Sequence, residues 1–235
     1  MNGKLLPAVV LACALGGAAL AEEAVPRAIS VNGEGRVDSV PDMAVVSLGV
    51  THEAKVARDA MAATSTDVAA VLDRLEAMGI AAKDVQTQTL MLNPVWSDPG
   101  SRGSSGVPVI RGYVAANMLL VRVRDLGALG EVLDAVVGDG ANQFNGLSFT
   151  VQDPEPLAEE ARRRAVADAM ARAKVLAEAA GVALGPVHTI TELGGGGPMV
   201  KEMTLARGAR GGGVPVAEGE ISVTVTVQMT FDIAG

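Results

Sequence analysis

Very few side chains in this chain could start a reaction. There are two histidines, His52 and His188, and one cysteine, Cys13. A serine hydrolase would need one of those histidines beside a nucleophile, and no G-x-S-x-G elbow is present to hold one. A tetrahedral zinc site needs several thiolate or imidazole ligands, which two distant histidines do not supply. Met199 and Met203, four residues apart, would offer two soft thioethers to Cu(I), with no third ligand near them in sequence. They fit better as oxidisable surface, because sulfoxide formation is reversible. Carboxylates are plentiful, but no helical spacing aims a pair of them at one point. Gly33-Glu34-Gly35 has the glycines of a phosphate loop, yet such a loop must open a helix, and here a second extended segment follows. No catalytic, cofactor-binding or metal-binding residue is assigned, no cofactor is expected, and both histidines are expected to be partly buried at or within strands. The chain reads as a non-enzyme.

Cys13 falls in what reads as an export leader. Lys4 supplies the positive start, Leu5–Leu15 the apolar run, and Ala19-Leu20-Ala21 a small-residue cleavage site ahead of Glu22. The run is too short to span a bilayer. The expectation is a signal peptide over residues 1–21, cleaved after Ala21, and a single exported domain over residues 22–235. A rival reading makes Cys13 a lipid acceptor, with an unusually short apolar segment before it. Cleavage after Ala21 leaves no thiol and no disulfide. It also removes Lys4, taking the net charge from −8 to −9. An acidic chain lacks the basic surface that phosphate neutralisation demands, and one Trp with one Tyr makes a poor stacking platform. Nucleic acid is excluded as a partner.

The scaffold is organised around Glu220–Ile233. Ile221, Val223, Val225, Val227, Met229, Phe231 and Ile233 alternate with polar residues, the pattern of a strand with one dry face. Helices must cover that face. Earlier in the chain, Ile29–Val50 reads as short strands around a turn at Asn32-Gly33-Glu34-Gly35, interrupted again at Pro41-Asp42. A helix is expected over Glu53–Met78, with Met61, Thr64, Val68, Val71, Leu72, Leu75 and Met78 inward and Asp67 solvated. Strands follow at Val85–Asn93, stopped by Pro94, and at Arg111–Val123. Asp125 is placed to cap a short helix over Leu126–Val137, and Gly146–Val151 is a further strand.

Asp153, Pro154 and Gly181 bracket the longest helix. Leu157, Ala161, Ala165, Ala169, Leu176 and Ala180 are expected to form its inner stripe. Glu159–Arg163, Glu160–Arg164 and Asp168–Arg172 pair one turn apart. Val182–Glu192 is expected as a strand, and residues 96–108 and 194–219 as flexible glycine-rich loops. The fold class is α+β: a mixed, mostly antiparallel sheet with helices packed on one face. It contains a ferredoxin-like β-α-β-β-α-β unit over Met43–Val151, then a long helix and C-terminal strands.

I-x-V-x-G-E-G at Ile29–Gly35, Pro41-Asp42-x-Ala44, Gly79-Ile80, Asp84-Val85-Gln86-Thr87, Gly112-Tyr113-x-Ala115-x-Asn117 and Gly140-Ala141-Asn142 stand in one order. Ala161–Ala180 with Gly181-Val182-x-Leu184-Gly185, and the closing Gly219-Glu220 strand, complete the set. With these the chain resembles the SIMPL-domain family over residues 28–233. The resemblance implies a periplasmic protein, in some members outer-membrane-associated and immunogenic. It further implies a link to oxidative-stress protection and a homo-oligomer, large and ring-like or channel-like in some members. It supplies no catalytic residues. Three functional readings follow: a self-associating envelope protein, a hydrolase or redox enzyme built on His52 or His188 with a carboxylate, and a chaperone-like binding module for apolar ligands or unfolded chains.

Overall fold

In chain order the elements are strands β1 (Ala28–Ser39) and β2 (Met43–Ala54), helix α1 (Ala57–Ala77), strands β3 (Val85–Trp96) and β4 (Ile110–Val123), helix α2 (Leu129–Gly138), strand β5 (Gln143–Thr150), helix α3 (Glu155–Ala180), and strands β6 (Ala183–Gly195), β7 (Met199–Lys201) and β8 (Glu220–Ala234). This computed structural model describes residues 27–97, 108–195, 199–201 and 216–234. The expected leader with Cys13, Met203, and much of the two glycine-rich loops lie outside the described residues.

The strands form two antiparallel sheets rather than one. The first has the order β1-β8-β6, with β7 also paired to β8; the second has the order β3-β4-β2-β5. In the second sheet, β4 lies between β2 and β3, the two strands that α1 connects. Each sheet has its own dry face and its own cover, α3 for the first and α1 with α2 for the second. Two amphipathic strands, β2 and β8, each demanded burial, and the chain met the demand twice. The second unit is inserted between β1 and α3, so the chain crosses between units at Asp42 and at Gln152. The Gln152 amide donates to Asp42 Oδ1 at 2.7 Å, and the Asp42 amide donates to the Thr150 carbonyl at 3.1 Å.

In β8 the expected alternation holds: Ile221, Val223, Val225, Val227, Met229 and Phe231 are all buried. They face α3, whose contact line is Ala161, Ala165, Ala169, Ala173 and Ala177. The strict four-residue step follows one ridge of the helix, so the line drifts around its surface along its length. That drift moves Leu176, expected inward, to the exposed side.

β1 is one continuous strand through Asn32-Gly33-Glu34-Gly35, where a turn was expected. Gly33 and Gly35 point at α3. A Cβ at Gly33 would stand 2.1 Å from the Ala165 carbonyl oxygen, and one at Gly35 would stand 1.9 Å from that of Ala161. These glycines serve close approach, not chain reversal. The proximity also lets α3 side chains reach the free edge of β1. Arg172 donates to the Asn32 carbonyl at 3.0 Å, Asp168 Oδ2 accepts from the Glu34 amide at 2.9 Å, and Arg164 donates to the Arg36 carbonyl at 2.7 Å.

Other boundaries move for identifiable reasons. Glu53 and Ala54 continue β2 rather than starting a helix, because they stay paired with Val114 and Tyr113. β3 runs through Pro94 to Trp96, which an edge strand tolerates. Asp125 accepts from the Gly127 amide at 3.0 Å, as expected of a cap, but the first turn, Leu126–Ala128, is a 3₁₀ turn. Within the expected loop 194–219, residues 199–201 pair with the start of β8. The three expected i,i+4 ion pairs of α3 are all formed, and Arg162 binds Glu155 and Glu192.

Candidate functional site

The two histidines sit on different sheets and are not brought together. His52 is near the end of β2, on the helix-covered face, with Nε2 2.6 Å from Asp67 Oδ2 of α1; both side chains are about one-third exposed. Asp67, expected in solvent, is instead held between this ring and Gly140, where φ is +109° and a Cβ would lie 2.8 Å from Oδ2. Asn142 extends the same corner. Its amide group accepts from the Thr51 amide at 2.9 Å and donates to the Thr51 carbonyl at 3.0 Å, imitating one more residue pair of the β2–β5 ladder. The nearby Thr64 hydroxyl is turned to the carbonyls of Ala60 and Ala115. The histidine–aspartate pair ties β2 to α1, and the Thr64 hydroxyl is directed to backbone carbonyls rather than to the ring.

His188 lies on β6, with Nδ1 3.3 Å from Asp232 Oδ1, and both side chains are largely exposed. Its expected partial burial is not found, because β6 is an edge strand that α3 covers only lightly. Met199 lies in β7, and Met203 lies outside the described residues. Among the described residues, no group of three or more His, Cys, Asp or Glu side chains could hold a metal.

A pocket of about 390 Å³ opens beside the end of α1, lined in part by Gly79, Ile80, Lys83, Asp84, Arg122 and Arg124. Asp84 is buried, and its carboxylate receives two hydrogen bonds from the Arg124 guanidinium, at 2.8 and 2.7 Å. That bonding, against the cost of burial, holds the Asp84 carboxyl below the ordinary carboxylate range. A carboxylate so stabilised is a weak base, unsuited to proton abstraction near neutrality. The pair fastens the α1–β3 connection to the end of β4.

The edges of the second sheet have a different chemistry. Neither β3 (VQTQTLMLNPVW) nor β5 (QFNGLSFT) contains a charged residue. Leu90, Met91, Leu92 and Trp96 on β3, and Phe144 and Leu147 on β5, are exposed.

The profile of the SIMPL family, described as "Protein of unknown function (DUF541)", matches residues 29–231. The chain belongs to the SIMPL family. It is 41% identical over 216 residues to the "26 kDa periplasmic immunogenic protein" of Brucella melitensis, covering 88% of this chain and 85% of that one. The protein of the same description from Brucella abortus matches equally. The "Uncharacterized protein YggE" of Escherichia coli is 30% identical over 162 residues, 69% of this chain and 64% of that one.

The SIMPL motif residues quoted from the sequence can now be given positions. Gly33 and Gly35 admit α3. Asp84 is locked to Arg124. Gly140 and Asn142 build the corner beside His52. Asp67, Arg124 and the α3 side chains on the β1 edge were not legible as partners, because each lies far along the chain from what it binds. One signal was available: alanines every four residues, together with two glycines on one side of a strand, mark surfaces made to touch closely.

Proposed function

We propose that this SIMPL protein is an exported, non-enzymatic component of the periplasmic envelope that works by self-association and contributes to withstanding oxidative or envelope stress. The observation that carries the reading is the pair of uncharged, apolar edge strands on an otherwise acidic chain. Soluble proteins blunt such edges with charge, proline or cover unless something pairs with them; Pro94 does so only near the end of β3, and the rest of β3 and all of β5 have neither charge nor proline. The names of the Brucella relatives support the compartment. Light scattering on the processed protein tests the assembly claim: a mass above one chain that falls on dilution is expected, and a strict monomer across a wide concentration range refutes it. His52→Gln and His188→Gln should leave any stress phenotype intact; its loss in either would favour a reaction at that histidine.

A second reading, a binding module for apolar ligands or unfolded chains, is favoured by one feature. A groove of about 570 Å³ between α3 and β1 is lined by Val31, Ala171, Val175 and Leu176, the last two well exposed. Binding of a fluorescent apolar probe that is lost in Leu176→Asp would support it, and no binding by the folded protein would remove it.

A further inference from the structure

We infer that the second sheet continues from one copy of the chain into the next, with β3 of one molecule pairing antiparallel to β5 of another. The inference rests on the self-association reading and names its surface. The edges of the two sheets differ in charge: on the edge strand β6 the exposed Val187, Ile190 and Leu193 are interspersed with Glu192, paired to Arg162, and His188, beside Asp232, whereas β3 and β5 carry no charge. Along β1, the backbone groups of Asn32, Glu34 and Arg36 are already bonded by Arg172, Asp168 and Arg164, so an incoming strand would have to displace them. Among the described residues, no strand pairs with the outer side of β3 or of β5. Copies with a net charge of −8 repel one another wherever acidic surfaces meet, but β3 and β5 bring no charge to a contact.

Side-chain exposure points the same way. Leu90, Met91 and Leu92 are successive residues, so they project alternately to the two faces of β3, and all three are exposed. Leu90 and Leu92 lie on the helix-side face of β3, beyond the reach of the helices that cover the sheet, and Met91 lies on the other face between Thr89 and Asn93. On β5, Phe144 and Leu147 are exposed on the same helix-side face as Leu90 and Leu92.

Direction and length agree as well. All neighbours in β3-β4-β2-β5 are antiparallel, so β3 and β5 run in opposite directions. A second copy laid beside the first in the same orientation therefore presents its β3 antiparallel to β5, with no inversion needed. The bulge at Gln88 and the missing N–H of Pro94 bound a regular run Thr89–Asn93 on β3. The bulge at Asn145 bounds a run Gly146–Thr150 of the same length on β5. Aligned antiparallel, these runs place Met91 opposite Ser148. Such a contact joins two different surfaces, so it propagates until a ring closes or a filament grows.

Two double substitutions test this. Thr89→Lys with Met91→Lys blocks β3, and Gly146→Lys with Ser148→Lys blocks β5. All four positions are exposed and lie on the sheet face away from the helices, so the core is untouched. The wild-type processed protein is expected to exceed a dimer by light scattering, and each double variant to be a monomer with a native circular dichroism spectrum. Mixing the two variants should restore one intact β3–β5 contact, giving a species of twice the chain mass and nothing larger. Variants that keep the wild-type mass would overturn the inference while leaving self-association standing. A β5 variant that stops at a dimer, with no new species on mixing, would also overturn it in favour of β3–β3 pairing. A monomeric wild type would sink both readings. Should a lysine variant fail to fold, Met91→Cys with Ser148→Cys decides. The sequence has no cysteine after Cys13, so disulfide-linked multimers should form only when both cysteines are present, and their absence in an oligomeric protein refutes the pairing.

Discussion

Adding one methyl group at Gly35 should detach the long helix from its sheet. A Cβ there would meet the Ala161 carbonyl oxygen at 1.9 Å and the Ala165 amide nitrogen at 2.4 Å. Ordinary contact begins at 3.4 Å, so the closer of these falls short by 3.4 − 1.9 = 1.5 Å. Both obstacles are backbone, so no rotamer change relieves them; α3 must lift or β1 must bend. A radial gap of about 0.5–1 Å already forfeits a quarter to a half of a dispersion well. The lift would be felt along the whole line of Ala161, Ala165, Ala169, Ala173 and Ala177, and by the Arg164, Asp168 and Arg172 bonds to the β1 edge.

The expected cost of Gly35→Ala is about 3 kcal/mol, the upper end for overpacking. Urea unfolding followed by far-ultraviolet circular dichroism would measure it. Gly146→Ala is the control, since nothing lies within 4 Å of a Cβ there, and it should change stability by less than about 0.5 kcal/mol. Ala161→Gly should not rescue Gly35→Ala, because the clash is with the Ala161 carbonyl and not its methyl. A Gly35→Ala protein within about 0.5 kcal/mol of wild type, or one rescued by Ala161→Gly, would refute the close-approach account of the glycines.

Phe231→Ala removes the largest fully buried side chain under α3 and should cost about 4 kcal/mol by the same unfolding measurement. Asn142→Ala breaks both bonds to Thr51 on an exposed corner and should cost about 1 kcal/mol, with faster amide exchange at Thr51 as its local signature. Asp84 has a folded pKa held below its unfolded value, first by the hydrogen bonds from Arg124. Its stabilising contribution is therefore fully present above about pH 4 and is lost as pH falls through the lower folded value. The unfolding midpoint should drop across that acid range, and Asp84→Asn should flatten the drop. Asp139, held low first by its hydrogen bond from Arg74, and Glu160, held low by Arg163 and Arg164, titrate in the same sense and contribute to the slope that remains.

Local periodicity carried much of this protein into view before any coordinates. The dry face of β8 follows from Ile221 to Phe231 alternating in residue type, since successive strand side chains point to opposite faces whatever the strand pairs with. The limits of α3 follow from Pro154 and from Gly181, whose φ of +69° suits a residue without a Cβ. Its ion pairs follow from a helical pitch that brings i and i+4 together. Each of these is decided within a few residues.

What required the folded molecule is everything decided between distant residues. Two amphipathic strands are compatible with one sheet or with two, and only pairing partners choose. Glycines at 33 and 35 suit a turn and a close approach equally, and α3, more than a hundred residues later, decides between them. Asp67 reads as a solvated acid until His52 meets it from β2, and nothing near Asp84 in the sequence announces Arg124, forty residues on, as its partner. The uncharged residues of β3 and β5 say nothing as text; it is their position on the two edges that, among the described residues, no strand pairs that supports the pairing proposed above.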